Sequence, residues 1–536
     1  MKHTVPRIIL FFLFCLAAMP GGNFGYAQVR LASKGVKTVR TTSRAGIIAQ
    51  KMAEAADRSR NSGVMIKPVG TTVTTPAAGS ALTKTLPKSL ARMPKPLTHP
   101  KNFLAPLRNE SILNRFLAYA RIESQSVDDP DPESFPMTEG QKTLARHIHD
   151  ELLSFGGKDV KITLSDDYYI YVDIPSNVSG NVPSLLFMAH MDVTPEAPGR
   201  GIKPQVHRNY GGGDIPLGNG AVLSPDTPQG AHLKDLKGKT IITSDGTTLL
   251  GADDKTGCTI LVTMVEELLR NPNLKHGRVM VMLSQNEDVG KAACRYDPQV
   301  FGDKPDIVID VDGDAPAAFS VANFTAIGET FRFKGNMAHP SHGLENRYGD
   351  ALTASSYFIG SIPPSAHPGA STGTRGYIHC YSCEHPKDSL GNIIRDEYVA
   401  KVRLRYFDKQ EGDTLSRCLD NAFEKTRKAF PFVNVTRSGP VLQYENIAYS
   451  MPSFVPSLIT EAAKKEGITL TPRNERGGTT SAMLSARIPG QIPGGPCIYS
   501  GQQSEHSIHE WCCVEEMSLM VNIIRNIITD VAKRKK

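Results

Sequence analysis

Carboxylate and imidazole side chains recur in this sequence where apolar, strand-like runs end. The segment "LLFMAHMDV" ends with a histidine and an aspartate, and "VMLSQNEDVG" breaks into two adjacent carboxylates. In open α/β sheets, binding sites form beyond the carboxyl ends of the strands. These side chains are therefore expected to share one pocket. They are His190, Asp192, Asp253, Asp254, Glu287, Asp288, Asp312, His506 and Glu510.

Such a set of groups suits divalent metal ions. Imidazole nitrogen with carboxylate oxygen, and without a cysteine ligand, is typical of zinc, cobalt or manganese sites. Two ions about 3.5–4 Å apart need a carboxylate that bridges them. Each ion then needs a carboxylate and an imidazole of its own. Two histidines and three aspartates satisfy that count, so the sequence predicts a site for two metal ions.

Each of these residues alone has a simpler interpretation. One aspartate after a strand is usually a helix cap or a turn residue, and one lone histidine is usually not a ligand. The adjacent Asp253 and Asp254 would also favour the dipole at a helix start. The joint pattern favours the metal site, because H-x-D, A-D-D-K, E-D-x-G, D-G and H-x-x-x-E follow one another in order.

The elements around these residues indicate an α/β fold with a mixed, largely parallel sheet. Apolar runs of strand type alternate with helical patterns from residue 107 onward. Residues 324–450 differ, since alternating strands and one helix there indicate an inserted α+β domain. The main predicted helices cover residues 113–121, 139–155 (after Thr138 as N-cap) and 255–269, and the main predicted strands cover 185–188, 278–283, 307–311 and 497–499.

Composition is globular, and the length of 536 residues predicts two or more domains. The net charge of +7 arises in residues 28–105, where 14 Lys and Arg face only Glu54 and Asp57. That segment lacks a periodic apolar face and is expected to be a flexible basic extension. The remainder is net acidic, so no nucleic-acid partner is expected.

The first 27 residues are typical of a secretory signal. Lys2 and Arg7 precede residues 8–19, which are all apolar or small and too few to span a membrane. Gly-Tyr-Ala at 25–27 is an acceptable cleavage site. The sequence therefore predicts export to the periplasm or the extracellular space, with an uncleaved anchor as the alternative and no membrane span in the mature chain.

Longer segments resemble a known family from about Arg115 to the C-terminus, with residues 1–105 outside the resemblance. That family is peptidase T, the tripeptide aminopeptidases, among the co-catalytic zinc peptidases that include aminoacylase and carboxypeptidase G. The segments that carry the resemblance are "MTEGQKTLA", "AHMDVTPEAPG", "NYGGGDIPLG", "SDGTTLLGADDKTG", "NEDVGK", "DVDG", "GNMAHPSHG", "ERGGTTSAMLS" and "HSIHE".

The resemblance implies a metal-binding role at five positions. Asp253 would bridge two Zn²⁺ ions, with Co²⁺ or Mn²⁺ as alternatives. His190 and Asp312 would complete one metal site. Asp288 and His506 would complete the other.

The resemblance also implies catalytic residues. Glu287 would act as general base on a metal-activated water, and Asp192 would orient His190 from behind. Residues 324–450 would form a lid and dimerisation domain, whose His339 would reach the site of a partner subunit. The candidates for binding the substrate's C-terminal carboxylate are Arg405 and Arg476.

Three positions depart from the family pattern. Asp288 stands where the family usually has Glu, and Glu196 ends the segment "DVTPE" where an Asp is usual. Thr480 replaces an expected Asp. The changes at positions 196 and 480 lie where an ammonium group would be recognised, so they predict a relaxed preference for a free N-terminus.

The sequence thus predicts an exported, homodimeric, two-metal aminopeptidase that acts on short peptides such as tripeptides. A related dipeptidase or N-acyl amino acid deacylase is one alternative, and an inactive binding domain on the same fold is another. The predicted segments are a signal peptide (1–27), the basic extension (28–105), the catalytic domain in two parts (106–323 and 451–536) and the lid and dimerisation domain (324–450).

Overall fold

The computed structural model describes residues 105–129, 134–218, 220–337, 339–388 and 390–536. The predicted basic extension, apart from Ala105, lies outside these residues. Within the described ranges, no helix combines the length and the apolar character that crossing a membrane requires.

Eight helices and nineteen strands are used below, all within the described residues. The helices are α1 (Ala105–Ala120), α2 (Glu139–Ser154), α3 (Ala252–Arg270), α4 (Ala351–Gly360), α5 (Lys409–Ala429), α6 (Val455–Lys464), α7 (Thr480–Arg487) and α8 (Val514–Val531). The first ten strands are β1 (Lys161–Leu164), β2 (Ile170–Ile174), β3 (Leu185–His190), β4 (Gln205–His207), β5 (Ile215–Pro216), β6 (Val222–Leu223), β7 (Ile241–Thr243), β8 (Val279–Ser284), β9 (Ile307–Gly313) and β10 (Ala318–Asn323). The others are β11 (Thr325–Lys334), β12 (Tyr377–Glu384), β13 (Glu397–Tyr406), β14 (Asn434–Arg437), β15 (Val441–Tyr444), β16 (Thr471–Glu475), β17 (Cys497–Tyr499), β18 (Gln502–Gln503) and β19 (Trp511–Cys513).

An eight-stranded sheet carries the site, in the order β1-β2-β8-β3-β9-β17-β10-β16. Its four central strands, β8, β3, β9 and β17, run parallel, whereas β1, β2 and β10 add antiparallel pairings. The predicted mixed, largely parallel sheet is confirmed. Because parallel strands end on the same edge, the polar residues after β3, β8 and β9 emerge side by side.

Apolar side chains on both faces explain why the central strands are continuous hydrophobic runs. Every residue of β3 and β8 is buried. Alternate residues point to opposite faces, so Phe187 packs into one core cluster while Leu186 and Met188 pack into another. Helices α1, α2, α3, α6 and α8 cover the first face, and α7 contributes to the second.

A buried arginine ties three of these helices together. Arg115 of α1 is fully buried and pairs with Glu151 of α2 and Glu266 of α3, each at 2.8 Å. Its guanidinium also donates to Thr263 Oγ1 at 2.6 Å. A buried charge is tolerated only when it is paired and hydrogen-bonded, and Arg115 meets that condition.

The inserted segment forms an antiparallel sheet with its own core, as predicted for an inserted α+β domain. Its order is β12-β13-β11-β14, and β15 also pairs with β11. Helices α4 and α5 pack against this sheet. Helix α5 begins after Asp408, whose side chain accepts from two backbone N–H groups, and it buries Leu415 and Leu419 one turn apart.

A small sheet that sequence analysis did not predict supports one side of the site. It joins β18, β19, β7 and β4 in that order. Trp511 in β19 is fully buried, and its indole N–H donates to the backbone carbonyl of Gln229 at 2.9 Å. This sheet fixes the chain on both sides of the loop that carries His506.

Candidate metal centre and active site

Five segments deliver the predicted metal ligands to one cavity of about 350 Å³. His190 ends β3, Asp253 begins α3, Asp288 follows β8, Asp312 lies near the end of β9, and His506 lies between β18 and β19. Four of these five side chains line the cavity, and His190 lies behind Asp253. Strand ends from positions 190 to 506 thus converge as sequence analysis expected.

Asp253 stands between the two imidazoles. Its Oδ1 lies 2.9 Å from His190 Nε2, and its Oδ2 lies 3.5 Å from His506 Nε2. On the far sides, Asp312 Oδ1 lies 3.7 Å from His190 Nε2, and Asp288 Oδ1 lies 2.9 Å from His506 Nε2. One carboxylate with an oxygen toward each imidazole is the arrangement that a bridge between two ions requires.

A carboxylate stands behind each imidazole. Asp192 is fully buried, and its Oδ1 lies 3.4 Å from His190 Nδ1. Glu196 Oε2 lies 3.0 Å from His506 Nδ1. Such partners fix the ring orientation and tautomer of a metal-ligating histidine. Glu196, which sequence analysis connected with ammonium recognition, is therefore engaged with His506.

Asp192 also fixes the segment after β8. Its two oxygens accept from the backbone N–H groups of Glu287 at 3.0 Å and Asp288 at 3.3 Å. Asn286, immediately before them, adopts a left-handed backbone conformation with φ of 58°. The turn separates the two adjacent side chains, so Asp288 faces His506 while Glu287 lines the cavity.

Two further buried carboxylates hold the start of α3 and the residues around it. Asp254 accepts from the backbone N–H of His190 at 3.2 Å and of Gly257 at 2.9 Å. With His190 and Asp312 it also forms a group whose possible metal-ligand atoms all lie within 4.8 Å of one another. Glu510 is 2% exposed. It accepts from the backbone N–H groups of Leu250, Gly251 and Asp253 at 2.6, 2.7 and 2.9 Å.

The electrostatics of the cluster fit a cation. Burial, followed by repulsion from Asp253, raises the pKa of Asp288 to about 8 and that of Asp312 to about 6. Oδ2 of Asp288 is buried without a hydrogen-bond partner among the described residues. Carboxylates that repel one another and leave a buried oxygen unsatisfied are stabilised by bound positive charge. The histidine and aspartate groups present here therefore fit metal ions.

Glu287 has a different environment from the ligands. Its carboxylate lines the cavity and forms no hydrogen bond within the part of the chain that the structure describes. Burial raises its pKa, and so does repulsion from Asp312 and Asp288. A carboxyl group that is free, half-buried and adjacent to the ligands is suited to exchanging a proton with a bound reactant.

The remaining predicted residues lie away from the cavity lining. His339 is exposed, and its Nδ1 accepts from the backbone N–H of Ser341 in its own loop at 3.3 Å. Arg476 donates to Gly373 O and Ser371 Oγ, each at 2.7 Å. Arg405 is 8% exposed and donates to Gln443 Oε1 at 3.3 Å.

Thr480, which stands where the family pattern has an Asp, also lies outside the cavity lining. Thr480 is 1% exposed, and its hydroxyl has no partner among the described residues. The carboxylate at the start of α7 comes instead from Asp310 of β9, which accepts from the backbone N–H of Ser481 at 3.1 Å. Sequence analysis missed Asp310, although its position two residues before Asp312 is a strand-face signal.

Comparison with known proteins gives the family. No family model matches the chain. Peptidase T of Shouchella clausii is 32% identical to it over 435 residues, which make up 80% of this chain and 100% of the relative. The chain belongs to the peptidase T family. Peptidase T of Halothermothrix orenii is 32% identical over 425 residues, 78% of this chain and 98% of the relative. The predicted metallo-aminopeptidase class is confirmed.

Solved structures confirm the peptidase T fold. An aminopeptidase PepT from Bacillus cereus matches with a TM-score of 0.59 and 20% identity, covering 79% of this chain and 99% of that one. A tripeptidase from Staphylococcus aureus matches with a TM-score of 0.58 and 17% identity, covering 80% and 99%.

The predicted export is wrong. Peptidase T relatives are cytosolic enzymes, and the match to them extends over 80% of this chain. Two basic residues and a short apolar run form a generic pattern, which carries less information than that match. Residues 1–27, on which the prediction of a periplasmic or extracellular signal peptide depended, lie outside the described residues.

Proposed function

We propose that this member of the peptidase T family is a two-metal enzyme that removes the N-terminal residue from tripeptides. The observation that carries the proposal is Asp253, with one carboxylate oxygen directed to each of two histidines. A site for a single ion would leave one of those histidines without a function. Relatives named peptidase T support the tripeptide substrate.

In this proposal, each ion has three protein ligands. His190, Asp312 and Asp253 would hold one ion, and Asp288, His506 and Asp253 would hold the other. Zn²⁺ suits this nitrogen and oxygen set, and Co²⁺ or Mn²⁺ suits it as well. Divalent ions bound here polarise the scissile carbonyl group and increase the acidity of water.

Glu287 is the proposed proton carrier. Its carboxylate accepts a proton from the attacking water and donates that proton to the leaving amine of the shortened peptide. Its lack of hydrogen-bond partners within the described residues leaves both oxygens available for this transfer. Asp192 supports the step indirectly, because it holds His190 and the Glu287 backbone in one arrangement.

The inserted domain, residues 324–450, is proposed to act as a lid and as a dimer interface. Within one chain His339 does not line the cavity, so its proposed role in steadying the oxyanion requires a second subunit. Met337 and Leu344 in the same loop region are 66% and 82% exposed. Exposed apolar side chains of this kind suit a protein interface. Arg405 and Arg476 remain the proposed contacts for the substrate's C-terminal carboxylate.

Metal analysis tests the two-ion proposal. Asp253→Asn is expected to lose both ions, because the bridge serves both, whereas His190→Ala is expected to weaken mainly one. The measurement is elemental analysis after dialysis, with activity on free tripeptides, dipeptides and N-acetylated tripeptides in the presence of Zn²⁺. A fully active wild type with a single tightly held ion contradicts the two-metal proposal. Efficient cleavage of N-acetylated peptides would instead favour a deacylase.

A further inference from the structure

Most carboxylates that line the cavity have a partner charge in the proposed active site. Asp253, Asp288 and Asp312 are the proposed metal ligands, and Glu287 lies beside them. These four groups would be balanced by two divalent ions. They therefore leave little net negative charge for a substrate to neutralise.

Two more cavity carboxylates share one arginine. Asp314 and Glu475 each form an ion pair with Arg473, at 2.5 and 2.7 Å. All three residues line the cavity. Both carboxylates are engaged in ion pairs within the chain, which makes them less suitable than an unpaired carboxylate as an anchor for a cationic substrate group.

Glu505 is the carboxylate that remains. It is half-buried in the cavity lining, directly before His506. Its side chain forms no ion pair or hydrogen bond to another residue within the described ranges. His506, the imidazole next to it in sequence, already uses both ring nitrogens toward Glu196 and Asp288.

We propose that the Glu505 carboxylate binds the α-ammonium group of the substrate's N-terminal residue. The inference rests on the proposed aminopeptidase function and identifies the residue that selects a free N-terminus. In a peptide the α-nitrogen is two bonds from the carbonyl carbon that reacts. Its anchor must therefore lie close to the metal ligands, and Glu505 is adjacent in sequence to one of them.

The other carboxylates near this position are less suitable. Glu196 faces the back of His506, on the side away from Asp288. Asp310 holds the start of α7 and does not line the cavity. Thr480 is buried outside the lining. Glu505 thus takes the role of the Asp that Thr480 replaces.

A pair of substrates tests the assignment. Ala-Ala-Ala carries an α-ammonium group, and propionyl-Ala-Ala is the same peptide without its amine. Glu505→Gln is expected to lower kcat/KM for Ala-Ala-Ala by about 10- to 100-fold, as for a lost hydrogen bond to a charged group. The loss should appear mainly in KM, because the contact exists before and during the reaction. Activity on propionyl-Ala-Ala should not change.

Three controls separate recognition from structural damage. Metal content measured by elemental analysis should equal that of the wild type. Glu505→Asp should restore part of the preference for the amine. Glu475→Gln removes a cavity carboxylate that is already paired with Arg473, so it should keep the wild-type ratio between the two substrates.

The outcomes distinguish the inference from the function on which it rests. A wild type that prefers Ala-Ala-Ala, with a Glu505→Gln variant that keeps this preference, overturns the inference alone. Equal losses on both substrates, loss of metal, or an effect confined to Lys-Ala-Ala, in which a side chain carries the extra charge, also overturn it. A wild type that cleaves both peptides equally well overturns the proposed aminopeptidase function together with the inference.

Discussion

At the scale of single residues, Glu287 and Asp288 are neighbours with different surroundings. Both line the cavity, but Asp288 lies 2.9 Å from His506 Nε2 and has a buried oxygen without a partner among the described residues, whereas the Glu287 carboxylate has no hydrogen bond among them. Their side chains can have different surroundings because Asn286, with its left-handed backbone conformation, turns the chain just before them. Two carboxylates next to each other in sequence can therefore have separate functions.

Substituting each carboxylate by its amide is expected to separate those functions. Glu287→Gln should keep the metal content and the fold yet lower kcat by about 10²- to 10⁴-fold, the usual contribution of a general base. Asp288→Asn should instead lower the metal content. The measurements are elemental analysis and steady-state kinetics on a free tripeptide. A metal-depleted Glu287→Gln, or one with full metal and nearly normal turnover, contradicts the proposed roles.

Much of the site could be predicted from sequence because the ligands have recognisable local patterns at strand ends. One partner, Asp192, could be predicted as well, because it lies two residues after His190. Contacts that join distant segments could not be predicted. Glu196 meets His506 across 310 positions, and Asp310 meets Ser481 across 171. The availability of Glu505 could not be predicted either, because it depends on which neighbouring charges are already paired.

At the scale of elements, the packing of α1, α2 and α3 depends on one buried ion-pair network. Arg115→Met should lower the free energy of unfolding by about 3–5 kcal/mol, since Glu151 and Glu266 would remain buried without their partner. Chemical denaturation followed by circular dichroism gives this quantity.

Arg208 provides the matched control. It pairs with Glu110 at 2.9 Å, but both side chains are about half exposed. Arg208→Met should therefore cost only a small fraction of the loss at Arg115, because exposed ion pairs contribute little. Similar losses in the two variants would show that the buried network does not stabilise the helices beyond an ordinary surface pair.

The elements that sequence analysis predicted are the long or continuously apolar ones. Strands β3 and β8 are fully buried, so their composition alone identifies them. The small sheet of β4, β7, β18 and β19 was missed because each of its strands has only two or three residues. Its pairing of Trp511 with Thr243 joins segments that no local pattern connects.

At the scale of the whole molecule, the position of His339 predicts cooperation between subunits. His339→Ala and Asp253→Ala should each be inactive as pure proteins. After subunit exchange, a mixture should regain partial activity, because one site of a hybrid dimer combines intact ligands with an intact His339. Activity assays measure the recovery, and light scattering measures the oligomeric state.

As the control for this mixing experiment, each variant is taken by itself through the same exchange procedure. An active monomer, or a fully exchanged mixture without any recovery, contradicts the proposed dimer contact. His339 is exposed and lies outside the lining of its own cavity. A role for it in catalysis therefore requires the active site of another subunit.

The order in which the large sheet is joined has a consequence during synthesis of the protein on the ribosome. Strand β17 lies between β9 and β10, yet it is translated about 180 residues after them. Until Cys497–Tyr499 emerge, the two parts of the sheet lack the strand that joins them, and His506 has not been made. A nascent or truncated chain that lacks these residues therefore cannot assemble the peptide-cleaving centre, and hydrolysis starts only after residue 506 has been translated.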